Sequence, residues 1–250
     1  MSKSEEAGTE KGPRQESRVE QRMAVARFGI VLLLLLVTYV FLASGPTGRW
    51  VPFVAVVLQG ATLLAALAAS AASPRLWRIA VIVVAIGLVS ATGVWLSDIP
   101  ESDGILFVLS MLLVGASPVV IASALVRRQV VDVHTVMGAL CIYVLLGMLW
   151  AFAYGAIGAF ESGPFFAEQA TANVADYLYF SFVTLTTVGY GDLTASQGLG
   201  RAIAVVEALF GQLYLVTVVA LVVSRMAVIP RRRNGQAASD DDTATPEPPS

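Results

Sequence analysis

The chain has 250 residues, of which 56% are hydrophobic and only 14% charged. A soluble domain of this length carries more charge and shorter apolar runs, so the composition excludes an ordinary water-soluble globular protein. The formal net charge of −2 is uninformative by itself, no nucleic-acid partner is expected, and the single cysteine, Cys141, rules out an intrachain disulfide.

Residues 1–22 are polar and charged, and they are expected to form a disordered tail that turns helical near Arg14–Arg27. Uncharged apolar runs follow at 28–44, 50–72, 79–97, 104–126 and 135–160, and a sixth covers 202–224 with Glu207 as its one interruption. About 20 apolar residues cross a hydrocarbon core. The pattern therefore predicts an all-α membrane protein with six transmembrane helices. The first run is the shortest and extends back through Met23. Four helices over residues 23–128 would form one membrane domain. Residues 129–230 would form a second, and 231–250, basic and then acidic, a disordered tail. Ala61, Ala65 and Ala69 in the second helix have the spacing that lets helices approach closely.

The positive charges are unevenly placed. With a cytoplasmic N-terminus, all of the 16 Lys and Arg residues except Arg49 and Arg201 fall on the inner side. This asymmetry predicts that both ends are cytoplasmic in a multi-pass cell-membrane protein. The Arg-rich usage, 14 Arg to 2 Lys, hints at a bacterial chain from a GC-rich source.

Between the fifth and sixth runs lies an apolar, aromatic stretch, "ADYLYFSFVTLTT", too short to span the bilayer. A re-entrant helix from about Val174 to Thr186 fits it, capped by Asn173 with Asp176 three residues on. Entered from outside, its C-terminal end points to the bilayer centre, where the partial negative charge favours a cation. The chain must then return without a helix, which membrane depth tolerates only against protein or a polar cavity.

The return is Thr187-Val188-Gly189-Tyr190-Gly191, then Asp192. Carbonyl oxygens replace a cation's water shell only when successive carbonyls point one way. That geometry alternates right- and left-handed residues, and glycine takes the left-handed form without steric cost. Gly189 and Gly191 stand at alternate positions, Thr187 adds a hydroxyl at the inner end, and Val188 and Tyr190 are expected to pack behind the strand.

This motif, on a short helix between two spanning ones, resembles the selectivity filter of potassium channels. With its flanking helices it is similar to the bacterial ion-channel family that has one pore loop per chain, over about residues 134–228. The resemblance implies a homotetramer in the lipid bilayer with potassium ions in the filter, no other cofactor, and ion-binding positions at Thr187, Val188, Gly189, Tyr190 and Gly191. It implies filter support from Thr186 and Asp192. Many relatives place a tryptophan pair in the pore helix. Here Tyr179 and Phe180 stand instead, with Tyr179 expected to donate to Asp192. Val183 occupies the place where some bacterial channels carry a carboxylate.

The sixth helix is expected from about Gly198 to Val228, stopping before Pro230. Gly211 near its middle resembles the family's hinge glycine, and close packing is the competing reading. Glu207, the one acid deep in a span, is expected to brace the pore helix through a threonine or a backbone amide, or to gate by titration. Of Gln212, Tyr214 and Thr217, one face is expected to line the cavity. His134 is the only histidine, and a solvated loop position competes with a pH-sensing one.

Six helices ending in a pore resemble the voltage-gated layout, yet residues 104–126 hold no charge, so charged-helix voltage sensing has no source. The first four helices are left as a support, or as a site for a lipid or small ligand. The function expected is passive, potassium-selective conduction. The alternatives are a non-conducting assembly or signalling protein built on a channel-like module, and a non-selective cation channel. An active transporter lacks its inverted repeats. An enzyme lacks a cluster of acid, base or metal-ligating groups.

Overall fold

The computed structural model describes residues 13–48, 50–70, 73–96, 103–126 and 133–226. The described residues form seven helices: α1 (Pro13–Ala43), α2 (Val51–Ala69), α3 (Pro74–Leu96), α4 (Asp103–Val126), α5 (Val133–Phe160), α6 (Val174–Leu185) and α7 (Gly198–Met226). Among these residues there is no β-strand, only an isolated antiparallel bridge between Phe166 and Ala195.

In a bilayer every backbone N–H and C=O must be satisfied inside the chain, so long uncharged runs become helices. Among the described residues five helices are long and apolar enough to cross a membrane: α2, α3, α4, α5 and α7. The described apolar part of α1, Phe28–Ala43, is shorter. Helix α1 begins at Pro13, inside the stretch expected as tail. The expected C-terminal tail, residues 231–250, lies outside the described residues.

The main seam joins α4 to α5. Helix α2 lies between α1, α3 and α4, and α5 carries the short α6 and the long α7. Helix α1 also packs along α5 and touches α6, so the N-terminal helices reach the short helix of their own chain chiefly through α1. Two apolar clusters hold this together. One, built on Val56, Leu63, Leu67, Leu106 and Leu113, joins α2 and α4. The other centres on Tyr154, Phe165, Phe166, Tyr177 and Phe180 and wraps the N-terminal half of α6. Its rings meet edge to face, as for Tyr154 on Phe180 at 5.1 Å and Phe165 on Phe166 at 4.9 Å.

Two helices remain largely uncovered. On α3, Ile79, Ile82, Ile86 and Val89 face outward, and on α7 Val205, Leu209, Phe210, Leu213 and Val216 do so. Apolar surface on this scale needs lipid or further protein over it.

Candidate functional site

Helix α6 starts on a reciprocal cap. The Asn173 side chain accepts from the Ala175 and Asp176 amides at 2.7 and 3.2 Å, and the Asp176 carboxylate accepts from the Asn173 amide at 2.8 Å. The first turn is thus fixed by three local residues. The helix ends at Leu185, with Thr186 as its C-cap. There the Val183 carbonyl accepts from the amides of both Val188 and Gly189, at 3.0 and 3.3 Å, folding the next strand back over the helix end. Thr186 donates its hydroxyl to the Phe182 carbonyl at 2.6 Å.

From this point φ is positive at every second residue: 60° at Thr187, 55° at Gly189 and 77° at Gly191. The two glycines accept this freely. Thr187 does not, because a β-branched residue at positive φ is a steric outlier. Residue type marked two of the three left-handed positions. The third was legible only by extending the two-residue spacing inward by one step.

The strand is latched at its outer end. Tyr179 donates its hydroxyl to the Asp192 carboxylate at 2.8 Å. Asp192 also accepts from the Leu193 amide at 3.1 Å. The Tyr190 ring lies against Tyr179 of α6, with centroids 6.4 Å apart and planes 7° apart. In one chain Val188 and Tyr190 are 54% and 71% exposed, so this chain alone does not enclose the strand.

The loop entering α6 is fastened to the segment leaving the strand. Around the Phe166–Ala195 bridge, the Ala167 amide donates to the Thr194 carbonyl at 2.9 Å, and the Ser196 amide to the Phe165 carbonyl at 2.8 Å. Glu168 accepts from both the amide and the hydroxyl of Thr194, at 2.8 and 2.5 Å. These donations hold the Glu168 carboxyl below its ordinary 4.5, the hydroxyl bond contributing most. Nothing in the sequence announced this pairing, since it joins short irregular segments 26 residues apart.

Behind α6 sits Glu207, fully buried. Its carboxyl contacts the Tyr154 hydroxyl of α5 and the Ser181 hydroxyl of α6, each at 2.5 Å. Ser181 also reaches the Gly147 carbonyl of α5 at 2.7 Å. The expected partner, a threonine or a backbone amide, is corrected to these two hydroxyls. Ser181 lies on the face of α6 that packs inward with Leu178 and Leu185, whereas Thr186 turns to its own helix.

Gly211 meets the far end of α6. A Cβ there would strike the Leu185 carbonyl oxygen and lie 2.8 Å from a Leu185 methyl. The residue lets α7 cross the C-terminus of the pore helix without a side chain between them. Lower down, Tyr214 turns to α5, where its hydroxyl donates to the Ala139 carbonyl at 2.7 Å and its ring stacks on Tyr143. Gln212 and Thr217 remain exposed. The side chain of His134, in the first turn of α5, lies outside the described residues.

A capped short helix, an extended segment of alternating hand and two long flanking helices thus form the candidate site of an all-α membrane protein. Residues 138–228 match the model of a family described as "Ion channel". The chain is also similar to a potassium voltage-gated channel protein, shk-1, of Caenorhabditis elegans, with 34% identity over 101 residues. That alignment covers 36% of this chain and 19% of the relative, so the chain matches less than a fifth of that protein's length. No solved structure matches. Both similarities are to ion channels.

Proposed function

We propose that the protein is a potassium-selective channel of the cell membrane, assembled as a homotetramer and conducting passively along Thr187-Val188-Gly189-Tyr190-Gly191. The observation that carries this reading is the positive φ at residues 187, 189 and 191, directly after the C-terminus of a capped re-entrant helix. Alternation of hand is the backbone condition for a row of carbonyls facing one path, and such a row replaces the hydration shell of a cation. One strand cannot surround an ion. The exposure of Val188, Tyr190 and the apolar face of α7 supports closure by further copies about a common axis. The arginine asymmetry supports cytoplasmic ends, with Asp192 at the outer mouth.

The test is ion flux through the purified full chain in liposomes, under opposed potassium and sodium gradients. A Gly189→Val variant serves as control, since a β-branched residue at φ 55° breaks the alternation. Potassium-selective flux that the control abolishes is the expected result. Equal sodium flux would replace this reading with a non-selective channel. Silence across voltage, pH and lipid composition would replace it with an assembly or signalling role.

A further inference from the structure

The contacts around Glu207 fix the position of a proton. Three oxygen pairs stand at hydrogen-bond distance: Tyr154 Oη to Glu207 Oε2 at 2.5 Å, Ser181 Oγ to Glu207 Oε1 at 2.5 Å, and Ser181 Oγ to the Gly147 carbonyl at 2.7 Å. Oxygens this close need a hydrogen between them. The carbonyl has none to give, and Tyr154 and Ser181 bring one each. Three contacts therefore share two hydroxyl hydrogens, and the third must come from the carboxyl group.

Only one arrangement fills all three. Glu207 Oε1–H donates to Ser181 Oγ, Ser181 Oγ–H donates to the Gly147 carbonyl, and Tyr154 Oη–H donates to Glu207 Oε2. A proton on Oε2 would leave Ser181 with one hydrogen between two acceptors. An ionised carboxylate would do the same and would also place an uncompensated charge among fully buried Tyr154 and Ser181. Tyr143, also on α5, interacts electrostatically with the same carboxyl group. Neither hydrogen bond to the Glu207 carboxyl comes from a basic side chain. The nearest basic residue along α7, Arg201, is held by the Ala195 carbonyl at 2.8 Å.

We infer that Glu207 is a neutral carboxylic acid with its proton on Oε1, and that it acts as a positioning residue joining α7 to α6 and α5. It donates along a directed chain that ends on the α5 backbone and accepts from α5 through Tyr154. The pore helix is thereby held from both neighbours by hydrogen bonds that need no counter-ion. The inference stands apart from the conduction reading, because the proton is there whether or not ions pass.

The experiment compares the full-length wild type with Glu207→Gln. The amide of glutamine donates to Ser181 and its oxygen accepts from Tyr154, so the neutral network is reproduced bond for bond. Glu207→Gln should assemble and melt as the wild type does, whereas Glu207→Ala should melt lower. An infrared difference spectrum of wild type minus Glu207→Gln at neutral pH should show the carbonyl stretch of a protonated carboxylic acid. Carboxylate bands in its place would overturn the inference. A Glu207→Gln variant that fails to assemble, or melts as low as Glu207→Ala, would overturn it as well.

Discussion

Tyr179 holds the end of the 187–192 segment twice, its hydroxyl on Asp192 at 2.8 Å and its ring stacked on Tyr190. One side chain thus restrains both the acid after the strand and the aromatic within it. Tyr179→Phe keeps the stack and removes the bond. The expected outcome is normal assembly with a several-fold lower potassium-over-sodium flux ratio in liposomes. Asp192→Ala also loses the Leu193 amide bond, so it should lower the ratio at least as far, and the double variant should be no worse than Asp192→Ala alone, since the Tyr179 bond is already absent there.

Gly211 is where α7 meets the carbonyl end of α6. Gly211→Ala should destabilise the protein by about 1–3 kcal/mol, the usual cost of inserting volume into a packed contact. Gly198→Ala, where an added Cβ has open space, is the control. Thermal melts of both variants in detergent check this. Equal melting temperatures would mean that the helices part easily at this crossing.

Glu168 gives the outer loops an acid-sensitive fastening. Its folded pKa is depressed by the Thr194 hydroxyl and amide. Such a group contributes stability above its ordinary value, about 4.5, and that contribution is lost as pH falls through the lowered folded value. Protection of the 192–197 amides from hydrogen exchange, taken relative to the intrinsic rate at each pH, should fall in acid for wild type. Glu168→Gln should show weak protection throughout, with no acid-dependent step.

Helix α4 carries no Lys or Arg between Asp103 and Val126. Each elementary charge moved across 100 mV contributes about 2.3 kcal/mol, and here there is none to move. In planar bilayers open probability should change little with voltage. A steep voltage dependence would place the moving charge outside α4.

The elements that depend on short-range sequence were legible. The spans followed from uncharged runs, the start of α6 from Asn173 and Asp176, and two left-handed positions from Gly189 and Gly191. What escaped depends on residues distant in sequence or acting against their own preference. Tyr154 and Ser181 lie 53 and 26 residues from Glu207, so no spacing rule joins them. Thr187 adopts a hand that threonine disfavours, imposed by the carbonyl of Val183 folding the strand back. The pairing of 164–168 with 194–196 uses loop residues with no strand pattern. At Gly211 the sequence offered a hinge and a packing contact equally, and only the position of Leu185 distinguishes what a side chain would meet.

Tyr39 of α1 meets Phe182 of the pore helix edge-on at 4.8 Å, and the opposite side of that phenylalanine presses on Gly147. The family match begins at residue 138, yet one wall of the pore helix is supplied from far upstream of it. The boundary drawn by similarity is therefore not a mechanical boundary. Cutting the chain there would bare an aromatic ring at the centre of the molecule, and a transplant of the matched segment would have to bring Tyr39 or a substitute with it.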